Sequence, residues 1–137
     1  MYNSNAPLNK WTCSPGSDFG PFDDVPDTDK TKGPNFCGQC VSYVKQVCPL
    51  LPKTDLWSKG KPVKDNKDIV AGTVIATFNA ALHYEGHAAI YVGQNEVGIN
   101  VYDQYVTPPS PKAVGPRLLR WGGKGNANNG DNFYVVE

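Results

Sequence analysis

The sequence lacks an excess of charge of either sign. Its 137 residues carry 13 Lys plus Arg against 13 Asp plus Glu, and the basic residues nowhere gather into a block. That balance leaves no electrostatic footprint for nucleic acid and no basic helix for a membrane surface. No apolar run approaches the ~18 residues that a spanning helix needs. The first residues, MYNSNAPLNKW, lack the apolar stretch of a secretory leader. Histidine is scarce, at two residues, and no internal repeat is visible.

What is present fits one domain with one core: hydrophobic residues make up 39 % of the chain. Four cysteines in a small, loop-rich chain favour an oxidising compartment. The expectation is therefore a protein that works outside the cytoplasm, with a leader removed or by another export route.

Residues 1–32 form an arm rich in Pro, Gly, Asp and Ser with no apolar period, which predicts irregular structure pinned by Trp11 and Phe22. The domain proper is expected over 33–137. Cys40, Val41, Val44, Val47 and Cys48 recur at helical spacing between Gly38 and Pro49, which predicts a helix from Gln39 to Cys48. A loop follows, with one short helical turn near Thr54. The pattern then changes to short apolar or alternating runs at 73–78, 87–92, 99–105, 117–121 and 133–136. Gly93 to Gly98 turns the second run into the third. The expected class is α+β, one helix packed on an antiparallel sheet of about five strands.

Three cysteines fall within NFCGQCVSYVKQVCP, at 37, 40 and 48. Zinc would require a second ligand pair, and only His83 and His87 offer one. Their distance from the Cys37–Cys40 pair exceeds finger spacing, and HYEGH has its glutamate out of place for a metalloprotease. No metal or other cofactor is expected. A thioredoxin-like site would need a strand leading into the motif, and none is evident.

Cys40 opens the predicted helix, where unpaired N–H groups and the helix dipole favour a thiolate. His87 opens a strand between Gly86 and Ala88, which leaves room for that helix. A hairpin centred near Asn95 would set Asp103 across from His87 on one face. A register change of one residue would substitute Gln104. Gln39 and the Cys40 N–H are candidate oxyanion donors. The same residues also fit a packed core cysteine and an ordinary strand-end histidine.

The runs GQCVSYVK, AGTVIATF, GHAAIYVG and INVYDQY, in that order, resemble the CHAP amidases and NlpC-type peptidases, papain-like cysteine hydrolases of cell-wall peptides. Within that superfamily the chain looks most like a small bacterial group of Cys-His amidases that shares the GQCV, GHAAIY and DQ elements and a tail like NNGDNFYVV. That group is similar in plan to the amidase effectors of type VI secretion.

The resemblance implies a nucleophile at Cys40, a base at His87 and an acid at Asp103. It also implies a peptidoglycan stem-peptide substrate, no cofactor, a monomer, and a place in the periplasm or outside the cell. If the chain is a toxin-like effector, an immunity or inhibitor protein is a further expected partner. A non-catalytic cell-wall binding module and a Cys-His acyltransferase or deamidase would carry nearly the same sequence. Gly72-Thr73 replaces the Gly-Asp usual in CHAP domains, and Tyr105 stands where many have Asn. Cys13, Cys37 and Cys48 lie outside the motif. Cys37 and Cys48 sit a helix length apart, beyond disulfide reach. Cys13 is therefore expected to bridge to Cys48, or alternatively to Cys37.

Overall fold

The computed structural model describes residues 11–12, 22–23, 40–48, 51, 54–105, 112–123 and 128–137. Cys13, Cys37 and Gln39 lie outside the described residues. Strands β1 (Trp11–Thr12) and β2 (Phe22–Asp23) form a small antiparallel ladder. Helix α1 (Cys40–Val47) follows, then a 3₁₀ turn at Thr54–Leu56. The main sheet comprises β3 (Lys59–Pro62), β4 (Val74–Phe78), β5 (Tyr84–Gln94), β6 (Gly98–Tyr105), β7 (Lys112–Arg120) and β8 (Phe133–Val136). Their order is β3-β8-β4-β5-β6-β7, antiparallel throughout.

The sheet therefore has six strands, not about five. The additional strand is β3, whose KGKP sequence has no apolar alternation and reads as loop. It sits at an edge, where half-exposed lysines are compatible with strand structure. Backbone pairing defines it: Ser58 and Glu137 exchange N–H···O bonds of 2.7 and 2.9 Å. Strand β7 likewise begins at Lys112, five positions before the apolar run that marks it in the sequence.

Alternation along the strands builds two apolar layers. On one side Tyr43, Val44, Val47 and Cys48 pack with Trp57, Val74, Ala76, Ala88, Ile90 and Val114. The small Ala76 and Ala88 are cross-strand partners, and short side chains there let the helix lie close to the sheet. On the other side Ile75, Ala89, Tyr91, Ile99, Val101 and Leu119 pack with Val63 and Phe133. Burial of such side chains contributes roughly 1.5–3 kcal/mol each.

The Cys13–Cys48 bridge is not formed. Cys48 is a free thiol within the helix-side layer, and its N–H closes the last helical turn on Val44 O at 2.9 Å. Burial pushes this thiol's pKa up, as expected for an inert packed cysteine. Trp11 and Thr12 nevertheless dock on the body. Thr12 N donates to Gln104 Oε1 at 2.7 Å, and Gln104 Nε2 donates to Thr12 O at 2.8 Å.

Candidate active site

Cys40 is the first residue of α1, so its backbone N–H is among the four that a helix leaves without an internal partner. The residue as a whole is half-buried. The thiol is hydrogen-bonded to His87 and lies near the Ala88 backbone. The Tyr84 hydroxyl is 3.4 Å from Sγ. Helix and strand thus converge on the sulfur.

The aim of His87 comes from an irregularity in β5. Ala76 pairs with Ala88, but Phe78 pairs with Tyr84, so Glu85, Gly86 and His87 together oppose Thr77 alone. Gly86 accommodates the bulge at φ 109°, a conformation open to glycine and strained for other residues. Thr77 replaces the missing ladder bonds with its side chain. Its hydroxyl accepts from His87 N at 3.0 Å and donates to Glu85 O. Bulges of this kind re-aim a side chain beside a site.

Asp103 reaches His87 by a different register from the one the hairpin turn predicts. β5 and β6 pair Gln94 with Ile99 and Gly93 with Asn100. A shift at Val92 then pairs Tyr91 with Val101 and Ile90 with Tyr102. Continuing that register places Ala89 across from Asp103, so Asp103 meets His87 diagonally on the shared face. Oδ2 lies 2.8 Å from His87 Nε2, which leaves Nδ1 for the sulfur. Both residues are buried, and the His87 ring is flanked edge-on by Tyr105 and Phe133. Gln104, the alternative third residue of the row, alternates to the opposite face, where its amide holds Thr12.

Three neighbours carry no sequence signal of function comparable to the cysteine motif. Tyr84 touches Sγ, and its ring meets Trp57 edge-on at 5.0 Å. Thr77 holds the bulge. Arg117, on β7, donates from Nε and Nη2 to Asp103 Oδ2 at 2.8 and 2.7 Å. Tyr84 was legible only as part of HYEGH, a stretch that draws attention as a failed metal motif. Arg117 had one available signal. It alternates with Leu119, which faces the apolar layer, and an arginine on such a face implies a buried carboxylate. His83 is exposed in the turn before β5 and takes no part.

The electrostatics favour an ion pair. Burial alone would raise the Cys40 pKa, but the hydrogen bond and charge of His87, with smaller contributions from Tyr84 and Ala88, bring it below the ordinary thiol value. Burial alone would lower His87. The hydrogen bond to Asp103, followed by the bond and charge of Cys40, raises it instead to about 9. Burial and the adjacent Cys40 charge push Tyr84 upward, so its phenol stays protonated and donates to the sulfur.

The pH dependence follows from these directions. Reaction of Cys40 requires the thiolate, present above a lowered pKa. Protonation of a leaving group requires the imidazolium, lost near pH 9. A plot of kcat/KM should be bell-shaped, its acid limb below the ~8.5 of a free cysteine and its basic limb near 9. A single limb near 8.5 would show that the pair is not formed. Stability carries the same sign for His87. Its folded pKa lies above its unfolded value, so its contribution is complete below ~6.5 and fades as pH rises through about 9.

Among the described residues, no helix is long and apolar enough to cross a membrane. Residues 23–136 match the family described as domesticated amidase effector 2. A protein of that description from Ixodes scapularis is 42 % identical over 104 residues, covering 72 % of this chain and 70 % of its own. A type VI secretion amidase effector 2 protein from Salmonella typhi is 30 % identical over 125 residues, covering 81 % and 91 %. The solved structure of a type 6 secretion amidase effector 2 superposes with a TM-score of 0.63 at 31 % identity, covering 72 % of this chain and 80 % of that one. The family match over 23–136 takes in α1 and the whole six-stranded sheet, and the chain belongs to the domesticated amidase effector 2 family, homologous to the type VI secretion amidase effectors.

Proposed function

We propose that this amidase hydrolyses an amide bond in peptidoglycan stem peptides by covalent catalysis, in a fold of the papain-like CHAP and NlpC kind. The observation that carries the reading is the row Cys40–His87–Asp103, with the thiol lowered and the imidazole raised. Cys40 Sγ attacks the carbonyl carbon. The Cys40 N–H, at the start of α1, holds the oxyanion that develops. The intermediate collapses as the C–N bond breaks, and His87 gives its proton to the departing amine. A water then loses a proton to His87 and attacks the thioester. Collapse of this second tetrahedral intermediate breaks the C–S bond, releases the acid and restores the thiolate–imidazolium pair. Asp103 fixes the ring so that one nitrogen serves the sulfur throughout.

The substrate reading rests on the family. The bond proposed is the one between D-glutamate and the diamino acid, and the place of action is an extracytoplasmic compartment. A monomer suffices, since every residue of the row comes from one chain. The proposed protein partner is an immunity or inhibitor protein that blocks the site. The test is digestion of purified peptidoglycan read by mass spectrometry. Stem fragments with a new D-glutamyl carboxylate and a new diamino-acid amine are expected. Release of intact stems from the glycan would move the bond. Absence of soluble product from any peptidoglycan type would favour a binding module, or an acyltransferase or deamidase acting on proteins.

A further inference from the structure

The catalytic row does not end at Asp103. Arg117 Nε and Nη2 both donate to Asp103 Oδ2, the same oxygen that faces His87 Nε2. Its Nη1 donates to Asn128 Oδ1 at 2.7 Å, and its guanidinium carbon lies 5.0 Å from the centre of the Tyr105 ring. The guanidinium is thus held from the sheet and from the segment before β8. It is mostly covered, at 17 % side-chain exposure, while Asp103 has none. A fully exposed ion pair would be worth little, but this one sits behind the imidazole.

We propose that Arg117 is a positioning residue of the active site that balances its charge and so keeps the Cys40 thiolate available at neutral pH. This rests on the reading of Cys40 and His87 as an active pair, and extends it by one residue. In the reactive state the row reads thiolate, imidazolium, carboxylate, guanidinium, alternating in sign and summing to zero. Without Arg117 the same row would hold a net negative charge in a poorly solvated place. The least costly relief is to return a proton to the row, and the thiolate is the group at its end that takes it up. The tyrosines that touch the row are Tyr84 at the sulfur and Tyr105 beneath the guanidinium. Neither supplies a positive charge to replace the arginine.

The experiment reads Cys40 without a substrate. Iodoacetamide labelling of the full chain is followed from pH 5 to 10, with occupancy of the Cys40 peptide measured by mass spectrometry so that the other cysteines do not interfere. In Arg117→Met the acid limb should move up by about one unit or more, the size expected on losing an opposite charge from a buried row. Labelling at pH 6 should then be about tenfold slower, while rates at pH 9 stay close to wild type. Arg117→Lys keeps the charge and should hold the limb near its original place. Arg120→Met, an exposed arginine at the end of the same strand, should change nothing. If Arg117→Met does not fold, Asn128→Asp serves instead. Asn128 is exposed, and a carboxylate there would draw the guanidinium charge away from Asp103 and move the limb the same way. An unmoved acid limb in the folded variants would overturn the proposal and leave Arg117 a purely structural residue. Because labelling needs no peptidoglycan, a wild type that labels with a depressed limb yet cuts nothing would count against the substrate reading alone.

Discussion

Cys40→Ala should lower peptidoglycan hydrolysis by about 10⁴-fold or more, and adding His87→Gln to it should cost almost nothing further. Residues that act as one unit lose their effect together, so single and double replacements give similar residual rates. Here the unit is visible in the geometry. The imidazole bonds Cys40 on one side and Asp103 on the other, and each of its steps transfers a proton in the service of the sulfur. Without Sγ there is no thioester, and His87 is left with no nucleophile to serve. His87→Gln alone should fall by about 10²–10⁴-fold, the usual range for a general acid–base group, and its Cys40 should lose its low-pH reactivity toward iodoacetamide. The measurement is release of soluble fragments over time by wild type, the two single variants and the double variant. Additive losses, with the double variant far below Cys40→Ala, would mean that His87 acts apart from the cysteine. A fully active Cys40→Ala would move the nucleophile elsewhere.

The members of this site differ in how far the sequence shows them. Cys40 and His87 are readable because each sits where a local pattern changes, at a helix start and beside a glycine before a strand. Asp103 is readable as a face but not as a register. Alternation puts it on the side of Ile99 and Val101, yet the hairpin turns between Glu96 and Val97 rather than at Asn95, so that even with the shift at Val92 Asp103 lies across from Ala89 and not His87. Arg117 and Tyr84 depend on events with no local signature. Arg117 meets Asp103 because β7 pairs with β6, setting Gly115 across from Asp103 and Arg117 across from Val101. Tyr84 meets Sγ because three residues of β5 bulge against Thr77.

The strand at Lys59–Pro62 escapes for a similar reason, since backbone pairing to β8 makes it, and lysines on an edge carry no period. The expected Cys13–Cys48 bridge fails on a local point. Cys48 shares the buried stripe of Val44 and Val47, and the helical spacing that predicts α1 already placed it there. That spacing was the better guide to its fate than the count of cysteines.

Asp103→Ala should damage both activity and stability, and it should move the opposite limb of the pH profile from Arg117→Met. Asp103 is fully buried and takes one bond from His87 and two from Arg117 on a single oxygen. Removing one partner of a buried ion pair typically costs about 3–5 kcal/mol. The low end applies here because Arg117 retains some exposure, and roughly 10 °C of Tm corresponds to it. Asp103→Asn keeps the volume and should recover part of that stability without recovering the rate.

The kinetic argument is one of sign. The bond to Asp103 is the foremost of the influences that raise His87 to about 9. Without it the imidazolium is left between burial and a guanidinium, both of which favour the neutral ring. The basic limb should therefore fall from about 9 toward the ~6.5 of an ordinary histidine or lower. At pH 8 the loss should be about 10²-fold or more, within the range of acid–base catalysis. Arg117→Met instead leaves the carboxylate in place and makes the thiolate harder to form, so its acid limb rises. Two replacements on either end of one salt bridge should thus move the same bell in opposite directions, measured as kcat/KM against pH on one peptidoglycan fragment. A common, pH-independent drop in both variants would reduce the Asp103–Arg117 pair to scaffolding.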